Sequence, residues 1–260
     1  MKQTRRMFSW LMAGTLALAM VTSLTAQSAK DSSAKVVRLK GSARYQGADK
    51  VFHDIKVGTV LKSGHLIQTA AGSYVDLMMV GGTDNLTAPR AVAGAGAGYT
   101  PKAEQDMIRV FEDTVLALDK LTVMNTGADQ VTDTQLDLRS GKIFGSVKKL
   151  SPTSHYEIKL PNGVAGIRGT TYTISADGVI QVLSGSVVIS WVAPDGTPMT
   201  QAVSGGNQFD TRTGLMTPIP ESQTQELLQL SKASQSSENQ QPISFVEDHT
   251  IYFVSPTKGP

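Results

Sequence analysis

Apolar and polar residues alternate along most of this chain, in short runs stopped by glycine. Val36–Tyr45 alternates on both sides of Gly41, and Val57–Thr69 repeats the design around Gly58 and Gly64. Tyr74–Val80 follows and ends at Gly81-Gly82. A period of two places every second side chain on one face, the signature of a half-buried strand. Glycine between such runs lets the backbone turn without a Cβ penalty. The same grammar returns later. Thr134–Leu138 alternates, Ser140-Gly141 turns, and Lys142–Leu150 forms the next strand. In Tyr156–Leu160, Tyr156, Ile158 and Leu160 share one face, and Glu157 and Lys159 share the other. Thr171–Ile174 and Val179–Leu183 flank an Asp177-Gly178 hairpin turn. Ser186–Val192 precedes a turn at Asp195-Gly196, Gln201–Val203 precedes Gly205-Gly206, and Gln208–Asp210 closes the series.

Other stretches break the rhythm. Met107–Leu121 carries apolar residues at both helical and strand spacing. The β-branched Ile108, Val110, Thr114 and Val115 favour two strands. Residues 89–105 include Ala-Gly repeats over Ala91–Gly98 that bury little area, and read as a flexible insertion. Leu86–Pro89 reads as a short edge strand. Glu221–Ser231 predicts a short helix, and Ser231–Gln241 is rich in serine and glutamine, the composition of disorder. Ile243–Val246 and Thr250–Val254 read as strands that pack back on the domain or join a partner.

The expected fold is all-β, because no helix long enough to connect parallel strands separates the runs. A wound β-helix, a wound sandwich and a barrel are all compatible, and the strand-Gly-strand units favour winding. The expected organisation is a signal peptide at 1–28, a β domain at 34–210, and a C-terminal helix, Ser/Gln linker and terminal strands at 211–260.

Residues 1–28 have the layout of an export signal: Lys2, Arg5 and Arg6, then an uncharged apolar stretch from Trp10 to Leu24, then Ala26-Gln27-Ser28 as a cleavage site. Thr4–Ser9 also resembles a twin-arginine signal. The expected location is periplasmic or secreted, with no transmembrane segment after signal cleavage. The formal charge of +2 for the whole chain includes those basic residues, so the remainder is nearly neutral and lacks the basic footprint of a nucleic-acid binder. The chain has no cysteine, which excludes disulfides and thiolate chemistry.

Reactive constellations are missing from the sequence. His53, His65, His155 and His249 are dispersed without metal-ligand spacing. No Gly-x-Ser-x-Gly elbow occurs, and Gly94–Gly98 lacks the Lys and Ser/Thr of a phosphate loop. Asp129, Asp133 and Asp137 do not follow the EF-hand order. No metal, cofactor or catalytic residue is expected. Two features remain. Gly163, Gly166 and Gly169 recur every third residue, which favours a tight corner or close approach of coils. There Arg168 reads as a fork that pins backbone carbonyls and Thr170 as a hydroxyl that satisfies the backbone. Arg139, Lys142, Lys148 and Lys149 form a local basic cluster, either a solvated face or a binding face for an acidic polymer.

Three pieces of the chain together resemble the FecR-like domain of bacterial cell-envelope proteins. They are Val36–Thr69 with its Gly64–Thr69 end, Leu136–Phe144, and Leu160–Thr170 with its proline-glycine and Arg-Gly-Thr content. Val182–Val188 extends the match. The resemblance implies an exported β-rich domain and a non-enzymatic role. In well-known relatives such a domain takes a signal from an outer-membrane transporter and controls a cytoplasmic sigma factor. This chain departs from that layout, with no sigma-binding domain and no internal membrane helix. The expected function is therefore an envelope module that senses a signal or binds a protein or glycan. The alternative is a structural or assembly protein that adds its C-terminal strands to a neighbour's sheet.

Overall fold

The structure, a computed structural model, describes residues 29–80, 106–126 and 130–239. The expected signal peptide, the Leu86–Pro89 strand, the 89–105 insertion and the two C-terminal strands lie outside the described residues.

The chain forms β1 (Lys30–Asp31), β2 (Ser33–Lys40), β3 (Ala43–Gln46), β4 (Phe52–Asp54), β5 (Val60–Lys62), β6 (His65–Thr69) and β7 (Tyr74–Val80). After the 81–105 segment come β8 (Met107–Val110), β9 (Val115–Asn125), β10 (Gln130–Ser140), β11 (Lys142–Ser146) and β12 (His155–Leu160). The last part holds β13 (Gly163–Ser175), β14 (Val179–Val192), β15 (Pro198–Ser204), β16 (Asn207–Asp210), β17 (Leu215–Pro218) and helix α1 (Glu221–Asn239). The all-β expectation holds, and Met107–Leu121 is two strands as its β-branched content requires.

All strands belong to one sheet that curls closed. Apart from the two-residue ladder of β1 with β9, its ladders fall into two runs. The first is β5, β2, β7, β8, β11, the second half of β13, the first half of β14, β16 and β17. The second is β4, β3, β6, β9, β10, β12, the first half of β13, the second half of β14, and β15. Only β10 and β12 pair in parallel; the other ladders are antiparallel.

Glycines carry the chain from one run to the other. Gly41 joins β2 to β3, Gly64 joins β5 to β6, and Gly141 joins β10 to β11. Their φ values of 75, 84 and 81° lie in the left-handed region that L side chains avoid. This is the physical content of the strand-Gly-strand pattern.

A single apolar cluster runs through the interior. Leu61, Leu77, Ile108, Leu118, Leu136, Tyr172 and Ile180 are all fully buried in it, and they come from both runs. A smaller cluster of Phe144, Ile219 and Leu227 seats α1 on the outside of the first run. The helix continues to Asn239, through serines whose composition suggested disorder. The packed Leu227, rather than local propensity, anchors that helix.

Candidate functional site

The glycine-punctuated phrase 163–170 is not a loop. It is the first half of the 13-residue strand β13, paired with β12 on one side and β14 on the other. Gly163 is there for close approach, since a Cβ would stand 2.5 Å from the Ser190 carbonyl oxygen. Gly166 has ordinary room, since a Cβ there would stand 3.7 Å from the Val188 carbonyl oxygen. Only Gly169 turns, with φ +63°, where the ladder with β14 shifts register between Arg168 and Thr171.

At that corner three backbones stack. A Cβ on Gly185 would lie 2.3 Å from the Gly169 carbonyl oxygen, and one on Gly205 would lie 3.2 Å from Ser184 Cα. The Gly205 amide donates to the Gly185 carbonyl at 3.0 Å. Thr170 locks the stack. Its Oγ1 donates to the Ser186 carbonyl at 2.7 Å and accepts the Ser186 amide at 3.3 Å. Thr170 thus satisfies the backbone, across strands rather than within its own turn.

The same device recurs at other corners. Ser42, after Gly41, donates its amide to Ser73 Oγ at 2.9 Å, and Lys142, after Gly141, donates its amide to Thr114 Oγ1 at 3.1 Å. Thr114 in turn follows Asp113, at φ 50°, and donates its amide to Thr69 Oγ1 at 3.0 Å. In each case a residue with positive φ is followed by an amide aimed at a hydroxyl on the adjoining turn. These buried hydroxyls were not legible individually, because serine and threonine also populate ordinary turns.

Arg168 does not pin the corner. It is exposed on the outer face opposite Ser186, and among the described residues its guanidinium makes no hydrogen bond or ion pair. The four-residue basic cluster is also divided. Arg139, on β10, is held by Asp137 at 2.8 Å. Lys142, across the Gly141 corner on β11, lies 5.1 Å above the Phe111 ring. The Lys148 amide bonds Asp106 at 2.9 Å. Lys149 packs against Gly169, its Cα 3.1 Å from where a Cβ would sit. The structure therefore separates Arg139 and Lys142 by a corner and places Lys149 beside Arg168.

Buried chemistry is structural where it occurs. Asp76 is fully buried on β7 and receives Arg109 through two bonds, 2.6 and 2.7 Å, with Arg38 at 3.6 Å. Asp76 holds the Arg109 guanidinium above its ordinary value, and Tyr74 stacks beneath it at 4.3 Å. Burial pushes the Tyr156 and Tyr172 hydroxyls well above the usual phenol range, so they stay neutral. A shallow cleft of about 160 Å³ lies beneath α1, lined by Lys142, Gln181, Gln223 and Glu226. Gln181 accepts from Thr173 at 2.8 Å and donates to Gln208 at 3.0 Å and to Gln223. Its amide thus ties β13 and β16 to each other and, through Gln223, to the helix. Among the described residues no three His, Asp or Glu side chains stand close enough to hold a metal. No helix there is long and apolar enough to cross a membrane.

Several strands, β4, β5, β15 and β17 among them, pair on one side only among the described residues, and β15 is the one that lies beside exposed valines. β15 pairs only with β14, so its other edge is open among the described residues. Register assigns the groups along it. The Gly205 amide bonds Gly185 and the Ala193 amide bonds the Thr197 carbonyl, so odd-numbered residues of this segment face β14. The amides of Thr200, Ala202 and Ser204 therefore point outward, and Pro198 has none to offer. The Gln201 side chain covers the Ala202 carbonyl at 2.8 Å, and Asn207 covers that of Ser204 at 3.2 Å. β15 carries no charge. Beside it, Val164, Val188, Val192 and Met199 are exposed by 38, 47, 55 and 46%. Trp191, paired with Met199 in register and on the same face, is buried with its indole N–H unpartnered. Sequence alternation marked β15 as a short strand, but nothing local distinguishes an edge strand from a central one.

The family model described as FecR protein matches residues 99–188, which hold β8 through most of β14. This span includes the Leu136–Phe144 and Leu160–Thr170 pieces and leaves out Val36–Thr69. No curated protein matches. Two crystal structures of a candidate anti-sigma factor from Parabacteroides distasonis ATCC 8503 are similar to this chain at 13% identity, with TM-scores of 0.32 and 0.31. Each match covers 46% of this chain and 53% of the other, so this chain spans about half the length of the structures it matches.

Proposed function

We propose that this chain, which carries a FecR-like segment, is a non-enzymatic module of the cell envelope, exported to the periplasm or beyond, that senses or transmits a state by binding another protein. The observation that carries this reading is the open, uncharged edge of β15 beside the exposed valines of β13 and β14. An extended segment of a partner would add there as a strand. Main-chain hydrogen bonds to Thr200 and Ala202 would supply affinity, and side chains over Val188 and Met199 would supply selectivity. Soluble proteins ordinarily blunt such an edge with charge, because an uncharged one recruits other strands.

Site-directed crosslinking tests this. The chain has no cysteine, so Thr200→Cys introduces a unique thiol for a short photo-crosslinker. In envelope extract, one specific adduct should form from position 200 and not from Thr59→Cys, which lies away from β15. Adding Ala202→Pro should abolish the adduct while the circular dichroism of the domain is retained, since proline removes an outward amide. Absence of a specific adduct, or an adduct indifferent to Ala202→Pro, would overturn the proposal.

A further inference from the structure

The winding of the sheet stops half a turn short. β13 and β14 each contribute one half to each run, and β15 and β16 repeat this as a pair joined at Gly205-Gly206. The next strand, β17, pairs with β16 and extends the first run. Ile219 then donates its amide to the Gly206 carbonyl at 3.0 Å, and the chain leaves the sheet as α1. At this end the first run therefore has two strands beyond β14, β16 and β17, and the second has one, β15. The missing position is the one beside β15. Met199, at the rim of the core, is 46% exposed beside its cross-strand neighbour Trp191, whose indole N–H is unpartnered.

The chain itself carries one more segment of strand composition. Past Asn239, the last described residue, Thr250-Ile251-Tyr252-Phe253-Val254 is uncharged, β-branched and aromatic. It alternates in the period a strand requires, with Ile251 and Phe253 on one side and Thr250, Tyr252 and Val254 on the other. The ten residues 240–249 can span roughly 33–36 Å when extended. A domain of this size has a radius of gyration of about 16 Å, so such a tether reaches across most of its surface. A tethered strand also competes with free ones at an effective concentration in the millimolar range.

We propose that residues 250–254 complete the last turn of the sheet by pairing with the open edge of β15 in the same chain. This rests on the partner-binding reading of that edge and adds its regulation. The segment holds the place of the partner strand, and the partner must displace it. Pairing would take up the outward amides of Thr200 and Ala202, and the Gln201 side chain would swing off the Ala202 carbonyl. An apolar row of the added strand would cover Met199.

Hydrogen exchange on the full mature chain, read residue by residue, decides it. The Thr200 and Ala202 amides should exchange at least tenfold more slowly in the parent than in Tyr252→Pro or Phe253→Pro variants. Thr217, on β17, serves as the unchanged reference. Protection should be independent of protein concentration, and light scattering should give a monomer mass. Equal exchange in parent and variants overturns the proposal, as does protection that appears only with concentration in a dimer, which would assign the strand to a second copy. The partner reading is scored separately by the Thr200→Cys adduct. If the segment is a placeholder, adduct yield should rise in Phe253→Pro. A normal adduct together with equal exchange sinks the placeholder and leaves the partner site standing.

Discussion

Gly141 sits at φ 81°, and a Cβ there would stand 2.2 Å from Thr114 Oγ1 and 2.6 Å from Thr114 Cα. Gly196 has a similar φ of 84° but nothing within 4 Å. Alanine at the two positions therefore separates the cost of the dihedral from the cost of the clash. Gly196→Ala should destabilise by about 1–2 kcal/mol, and Gly141→Ala by more than that, roughly 3–5 kcal/mol, because the obstructing atom is backbone. Chemical denaturation of both variants measures the difference, and equal losses would show that the Thr114 corner yields. His65 offers a second test. Burial is the main cause lowering its pKa from 6.5, with Lys62 adding to it; the ring stacks on Tyr45 at 5.3 Å, and its Nδ1 is buried without a partner. The unfolded chain therefore takes up the proton first. The contribution of this residue is fully present above about pH 6.5 and is lost as pH falls toward the lower folded value. A His65→Gln variant should show a flatter stability profile between pH 7 and pH 5 than the parent. The glycines of these corners were legible because positive φ selects a residue type. Thr69 and Thr114 were not, since their role depends on which turn the fold brings alongside.

At the scale of elements, the most consequential unseen feature is Asp76. On sequence it is one polar residue within Tyr74–Val80, and alternation would send it to solvent or core with no further information. In the fold β7 is flanked by β2 and β8, which bring Arg38 and Arg109 to its buried carboxylate. Asp76→Ala leaves Arg109 without its partner in a mostly buried site and should cost about 3–5 kcal/mol, seen as a lower denaturation midpoint with an unchanged slope. The replacement of both Asp76 and Arg109 by apolar residues of similar volume should recover much of that loss. The parallel pairing of β10 and β12 was equally hidden. Alternation identifies each strand and its buried face, but neighbour choice is a long-range property. The helix shows the reverse error: Ser231–Asn239 has the composition of disorder, and the turns that precede it, seated through Leu227 on Phe144, carry it onward.

For the whole molecule, one continuous apolar cluster links both runs of the sheet. Unfolding should therefore be a single cooperative transition, despite the two-run layout. In a variant lacking residues 1–28, Trp191 is the sole tryptophan, and it packs edge-on against Phe209 at 4.9 Å near the end of the winding. Its fluorescence and the far-ultraviolet circular dichroism should give coincident midpoints. An earlier fluorescence transition would mean that the β13–β16 end opens by itself, as an incompletely covered edge would permit.

The sequence alone determined the class of the fold, its many short strands and the corners between them, because alternation and positive φ are local demands that residue types answer directly. It also held the FecR-like pieces and an address-like first 28 residues. The tertiary structure decided which strands are neighbours, where the charge of Asp76 is matched, that the Arg-Gly-Thr phrase is a strand braced by Thr170, and that β15 pairs on one side only among the described residues. Those outcomes depend on contacts between residues far apart in the chain, and no local pattern encodes which side of a strand goes unpaired.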